Sequence, residues 1–219
     1  MNQEWVDLTQ DIYEGMSYAK IFPSPSITTF SDVEKKGINA TQFTLITHIG
    51  THVDAPLHFI KGGRTIDSYP VSTFFRPGVV MDVTKDPLQP ITASDLSHAS
   101  PKPNSEDILL LRTGYGAKFG SESYFDHPYL AEDAAEWIVN QGISIVGIDA
   151  VTVDLPYPLR PQPFSYPVHH ILLGQNVLII ENLADPISLI GKRVTVACFP
   201  IKIRGADGAQ ARVVARPIG

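Results

Sequence analysis

The chain is poor in cysteine, in charge and in uninterrupted hydrophobic sequence. A single cysteine, Cys198, among 219 residues excludes an internal disulfide and a zinc site closed by thiolates. A reducing cytoplasm is therefore the expected compartment. Lys and Arg number 17 against 23 Asp and Glu, a formal net charge of -6, and no basic run stands out. A nucleic-acid partner needs a positive patch to displace counterions, so none is expected. No apolar stretch reaches the length of a membrane-spanning helix. The opening Met1-Asn2-Gln3-Glu4 has neither a basic start nor an apolar segment, so a leader is not expected either. No Gly-x-Ser-x-Gly elbow is present, which argues against a serine hydrolase. Thr113-Gly114-Tyr115-Gly116 falls short of a dinucleotide fingerprint and reads as a turn.

What remains is enough to build a core. Hydrophobic residues make up 43% of the chain, and short β-branched runs recur at Thr41–Thr47, Val79–Val83, Asp107–Leu111, Ile143–Ile148, Val177–Ile180 and Val194–Phe199. Most are short and bounded by Gly, Pro or Asp, as strands are. Leu130, Ala134, Trp137, Ile138 and Gln141 follow helical spacing, with Glu132 and Asp133 in the first turn and Gly142 as a stop. Thr92 is placed to cap a second, shorter helix. Eighteen prolines punctuate the rest. Five of them lie in Leu155–Pro167, which must be an extended loop and delivers the chain into His169-His170. The expectation is one α/β domain over residues 1–219, rich in β-structure with few helices.

Three of the seven histidines fall in His48-Ile49-Gly50-Thr51-His52-Val53-Asp54-Ala55-Pro56-Leu57-His58. Neutral imidazoles beside a carboxylate are the ligands that zinc, manganese and iron accept. Gly50 and Pro56 make a helix unsuitable, so the segment reads as a strand end turning into a loop. On an extended chain His52 and Asp54 share a face, and His48 joins them if the backbone kinks near Gly50. Three protein ligands with an open position describe a catalytic rather than a structural metal site. His58, four residues beyond Asp54, is suited to move protons; a fourth ligand or an orienting group are the other readings. Cys198 sits in an apolar strand pattern and reads as a small buried hydrophobe. His98 reads as solvated and His127 as structural. Asp149 and Asp154 flank a strand exit near the proline-rich loop and read by default as solvated turn carboxylates, with support of a metal ligand as the other reading of either.

The eleven-residue motif, followed by Gly62-Gly63-Arg64-Thr65-Ile66-Asp67, resembles the signature of the cyclase-family metal hydrolases, which include bacterial kynurenine formamidase and isatin hydrolase. Val146-Gly147-Ile148-Asp149, and His169 with Leu172-Leu173 leading to Val177–Leu183, resemble that family's later segments. The resemblance spans nearly the whole chain and implies a swivelling β/β/α fold. It further implies that His48, His52 and Asp54 bind one metal while His169 and Glu181 complete a second site. Asp54 and Glu181 would bridge the two. His169 matches the family position, with His170 as the competing ligand. One or two divalent ions, zinc or manganese, are implied, and so is a homodimer or homotetramer.

The activity implied is hydrolysis of a C–N bond in an aryl formamide, cyclic amide or related small-molecule carbonyl substrate. Water made acidic by the metal would attack, with His58 passing the proton to the departing nitrogen. Kynurenine formamidases carry a tryptophan and a proline-glycine turn near the N-terminus; here Gly15–Pro23 lacks both. Tyr18 and Phe22 are the candidates to replace them as a platform for the substrate ring. The alternative from another class is a non-catalytic metal- or ligand-binding protein on the same fold.

Overall fold

The computed structural model describes residues 4–218; Met1-Asn2-Gln3, on which part of the leader reading rests, lie outside them. The N-terminal half supplies β1 (Val6–Asp7), β2 (Ser26–Ser31), α1 (Val33–Lys36), β3 (Ala40–Thr44), β4 (His52–Asp54) and β5 (Phe75–Asp82). Next come β6 (Pro90–Ile91), α2 (Ala93–His98), β7 (Ile108–Arg112), β8 (Tyr129–Leu130), α3 (Glu132–Asn140) and β9 (Ile145–Ile148). The chain ends with α4 (Pro167–Gly174), β10 (Leu178–Glu181), β11 (Arg193–Pro200) and β12 (Gly208–Pro217).

The main sheet runs β1-β12-β11-β5-β7-β9-β10-β4, and β4 also pairs with β12. That last pairing joins the sheet to itself, so seven strands form a ring with β1 outside it. The strands β5, β7, β9 and β10 are parallel neighbours. Parallel strands need crossover connections, and α2, α3 and α4 lie in the three crossovers. Both faces of these strands are therefore covered, and Ile108, Leu109, Leu110 and Leu111 are all fully buried. Val80, Leu110, Ile180, Val196 and Val213 fill the inside of the ring. Met81, Leu109, Val146 and Ile179 face outward against Leu96, Ile138 and Leu172 of the helices.

Local signals agree with the elements that form. Thr92 and Asp95 make a reciprocal capping box at α2. The helical spacing around Trp137 corresponds to α3, although Leu130 belongs to β8 instead. Two readings need correction, and β12 has no counterpart among the runs read from the sequence. Thr41–Thr47 forms a strand only as far as Thr44, and β3 pairs with β2 alone in an arm outside the ring. Its Phe43 and the facing strand's Phe30 are 62% and 65% exposed, because β-branched composition marks an extended chain without marking burial. The strand β12 has no long apolar run, yet Ala209, Ala211, Val213 and Ala215 alternate into the core. The proline-rich loop contains one helical turn, Tyr157–Leu159, and its last residue, Pro167, is already the first of α4.

Candidate metal centre

Strand β4 is three residues long and hydrogen-bonded on both edges. Ile179, Ile180 and Glu181 of β10 face Asp54, Val53 and His52 on one side. Gly208, Ala209 and Gln210 of β12 face the same residues on the other. Alternation turns Val53 into the ring and leaves His52 and Asp54 on the opposite face. Gly50 adopts φ +73°, a left-handed turn that brings His48 back over the strand. Gly208 lets it come close: a Cβ there would lie 2.8 Å from His48 Cε1.

Around Asp54 the side chains converge. His48 Nδ1 lies 2.7 Å from Asp54 Oδ1, and His52 Nε2 lies 3.1 Å from the same oxygen. His169 Nε2 is 3.7 Å from Asp54 Oδ2 and 3.3 Å from Glu181 Oε1. His52 Nε2 is 3.7 Å from Glu181 Oε2. The potential ligand atoms of His52, Asp54 and Glu181 fall within 4.8 Å of one another, as do those of His48, Asp54 and His58. Asp54 is common to both groups.

Each of the three inner imidazoles is held from behind by an oxygen. His52 Nδ1 donates to Gly50 O at 2.7 Å. His169 Nδ1 pairs with Asp154 Oδ2 at 2.5 Å, and Asp154 also accepts the backbone N–H groups of Val168 and His169 at the start of α4. His48 Nε2 pairs with Asp207 Oδ2 at 2.9 Å, while Thr47 donates to the other Asp207 oxygen at 3.0 Å. Anchoring one ring nitrogen in this way fixes the direction in which the other presents its lone pair.

The buried carboxylates are balanced only by protons drawn onto the imidazoles, protons that a divalent cation would displace. Asp54 is completely buried and Glu181 nearly so, and neither has a Lys or Arg partner among the described residues. Burial pushes the Asp54 carboxyl up, but His52 and His48 hold it well below the usual range. Burial opposes a charge on His48, yet Asp54 and Asp207 raise it to about 9. Burial likewise opposes a charge on His169, which Asp154, Asp54 and Glu181 raise well above the ordinary value. His52 Nε2 and Asp54 Oδ2 are buried with no hydrogen-bond partner. Unpaired buried polar atoms are costly, and both point toward the shared centre. This donor set of imidazoles and carboxylates fits a divalent cation.

The cyclase family's sequence model matches residues 6–155. The chain belongs to the cyclase family. Over 218 residues it is 29% identical to kynurenine formamidase of Bacillus cereus, with 98% of each chain covered. A solved potential metal-dependent hydrolase with cyclase activity superposes with a TM-score of 0.82 at 31% identity, covering 99% of both chains. Isatin hydrolase A from Ralstonia solanacearum shares the fold, with a TM-score of 0.86 at 23% identity over 99% of this chain and 93% of that one.

In this cyclase-family chain the centre forms one wall of a cavity of about 290 Å³. His48, His58, His169 and Glu181 line it together with Phe22, Phe59, Thr152, Tyr157, Arg160 and Tyr166. The His58 ring stacks on His48 with centroids 3.6 Å apart, and its Nδ1 lies 3.5 Å from Asp207 Oδ2. Burial lowers His58 to about 4. Phe22 reaches the cavity and stacks over His48; Tyr18 is not among the lining residues and carries Lys20 over its ring. His169 faces the centre, whereas His170 is exposed on the outer side of α4.

Asp149 and Asp154 are fully buried, contrary to the solvated reading. Asp149 accepts the backbone N–H groups of Thr113, Gly114 and Gly116 and so shapes that turn, and Asp154 holds His169. Asp207 escapes a sequence reading because a carboxylate in Gly205-Ala206-Asp207-Gly208 looks like any loop acid. Its importance comes from the seam, where its carbonyl accepts the Ala55 N–H. Cys198 is buried with its thiol pushed up to about 12 by that burial. His98 ends α2, exposed.

His127 is fully buried, with Nδ1 on Pro128 O and Nε2 without a hydrogen-bond partner. Burial lowers it from 6.5 to about 4. The unfolded chain therefore takes up this proton near pH 6.5 and the folded one only near 4, so acid favours unfolding. Stability contributed by the neutral ring is present above pH 6.5 and falls away toward 4, by on the order of 3 kcal/mol. Denaturant unfolding from pH 7 to pH 4.5 should show a shallower decline in His127→Gln than in the parent. Equal slopes would remove His127 from the account.

Proposed function

We propose that this protein is a metal-dependent amide hydrolase that cleaves a C–N bond of an aryl formamide, cyclic amide or related carbonyl compound. The observation that carries the reading is the pair of orphaned atoms, His52 Nε2 and Asp54 Oδ2, in a centre whose imidazoles are braced from behind and which opens on a cavity. In this proposal His48, His52, Asp54, His169 and Glu181 hold one or two divalent ions, zinc or manganese. A divalent cation supplies a Lewis acid for the carbonyl oxygen and brings the acidity of water from about 15.7 toward neutrality.

The chain's own residues do the rest. Phe22 and Phe59 offer apolar walls for a ring, with Phe22 as the platform rather than Tyr18. His58 Nδ1 faces Asp207, which leaves Nε2 to exchange a proton with the departing nitrogen. Glu181 accepts the Val153 N–H at 3.0 Å through Oε1, so its carboxylate is fixed before substrate arrives. A non-catalytic binder is not favoured, since binding alone requires no imidazole beside the centre at the cavity wall.

The relatives' names, kynurenine formamidase and isatin hydrolase, support the choice of aryl and cyclic amides as the substrates to test. With Zn²⁺ or Mn²⁺ the protein should hydrolyse members of a formanilide and lactam panel, and a chelator should abolish the activity. A loaded protein inert toward the whole panel would refute the reading. We place it in the cytoplasm; no helix among the described residues is long and apolar enough to cross a membrane. We also take it to be a homodimer or homotetramer, resolvable by light scattering. The apolar arm with Phe30, Ile38 and Phe43 exposed supports such self-association.

A further inference from the structure

The lining of the cavity includes a single Lys or Arg side chain, Arg160. It sits in the proline-rich loop and is held firmly. Its Nε donates to Leu155 O at 2.7 Å and its Nη1 to Tyr166 Oη at 3.3 Å. The guanidinium carbon stands 4.1, 5.0 and 4.9 Å from the ring centres of Tyr157, Phe164 and Tyr166. Arg76, Arg112, Arg193 and Arg212 each pair with a carboxylate. Arg160 has none within 4.0 Å among the described residues, and both Nη2 hydrogens are left without a protein acceptor. A guanidinium has five donors in a planar fork that matches the two oxygens of a carboxylate.

The spacing adds a second constraint. Tyr166 adjoins both Arg160 and the centre, its ring 4.9 Å from the guanidinium carbon and 6.2 Å from the ring of His169. Its backbone has φ +52°, a strained setting for an aromatic residue that persists only where surrounding structure enforces it. A bound molecule that reaches from the centre to Arg160 must therefore span about one aromatic side chain. It would do so along a wall built from Phe59, Tyr166 and Tyr157.

The geometry points to Arg160 as the residue that selects substrates bearing a carboxylate, one ring away from the amide carbonyl that is cleaved. This rests on the hydrolase reading above and narrows its substrate class to anionic aryl amides. The arginine would also set orientation. A carboxylate drawn to Arg160 is kept away from the centre, where it would compete with the carbonyl for the same position.

The test compares 4-formamidobenzoate with uncharged formanilide on the metal-loaded protein, its Arg160→Gln and Arg160→Lys variants, and measures benzoate binding by calorimetry in parallel. Loss of a charge-assisted hydrogen bond should cost Arg160→Gln about 10- to 100-fold in kcat/KM for 4-formamidobenzoate. The loss should fall mainly in KM and exceed any loss for formanilide by at least about tenfold, with benzoate binding weakened in step. Arg160→Lys keeps the charge without the fork and should fall between. An equal loss for both substrates would make Arg160 only a brace for its loop and overturn the proposal. Unchanged selectivity would overturn it too. If the parent protein hydrolyses neither these compounds nor any other member of the formanilide and lactam panel, the hydrolase reading fails, while the benzoate comparison still decides whether Arg160 binds a carboxylate.

Discussion

Asp54→Ala is expected to retain no stoichiometric divalent cation after dialysis and to lose at least about 10³-fold in kcat/KM. The size follows from the several kcal/mol that a metal ion contributes, at one decade of rate per 1.36 kcal/mol. The reason is the position of Asp54 in both potential ligand groups. Removing it deprives His48 and His52 of the carboxylate oxygen they share, at 2.7 and 3.1 Å. Metal analysis of the purified variant, alongside its circular dichroism, separates loss of the ion from loss of the fold. A folded variant that keeps both its metal and its rate would show that the centre lies elsewhere.

His58→Ala should behave differently, keeping its cation while kcat drops by about 10²–10⁴, the usual worth of a positioned proton carrier. His58 lies on the cavity side of His48, stacked at 3.6 Å, and it is not one of the three imidazoles braced from behind around Asp54. The loss should appear in kcat with little change in KM, as for an interaction made only in the transition state. Loss of the metal together with the rate would instead assign His58 as a ligand. Full turnover would end its role altogether.

Much of this centre is legible in the sequence because its densest part is local. His48, His52, Asp54 and His58 occupy eleven consecutive residues, and two-residue alternation about a glycine kink is enough to place the first three together. His169 and Glu181 are another matter. Their spacing with respect to Asp54 carries no periodicity, since it is set by β10 lying beside β4 in antiparallel register. Only the family resemblance brings them in. Asp154 is readable only as one of two acids that could stand behind a ligand, and Asp207 is not readable at all as the partner of His48, for in sequence it is an acid beside a turn.

The fold divides along similar lines. Strands β5, β7, β9 and β10 announce themselves by continuous apolar runs, because helices cover one face and the filled ring the other, whereas β11 turns Val194, Val196 and Cys198 into the ring and leaves Phe199 exposed. Strand β12 is hidden by small residues that pack inside the ring, and α4 by the prolines leading into it. Strand β3 shows the reverse: Thr41–Thr47 reads as a strand by its apolar, β-branched pattern, although the side chains from Thr41 to Thr44 lie on the surface.

The double pairing of β4 also determines where this protein tolerates changes in length. A deletion or insertion of one residue within 52–54 would exchange the two faces of the strand, sending Val53 toward the cavity and a polar side chain into the hydrophobic interior. Neither neighbouring strand could compensate by sliding, because each is already committed on its far edge. The protruding arm faces no such restriction, so natural length variation among related chains should collect there and spare the three residues at the seam.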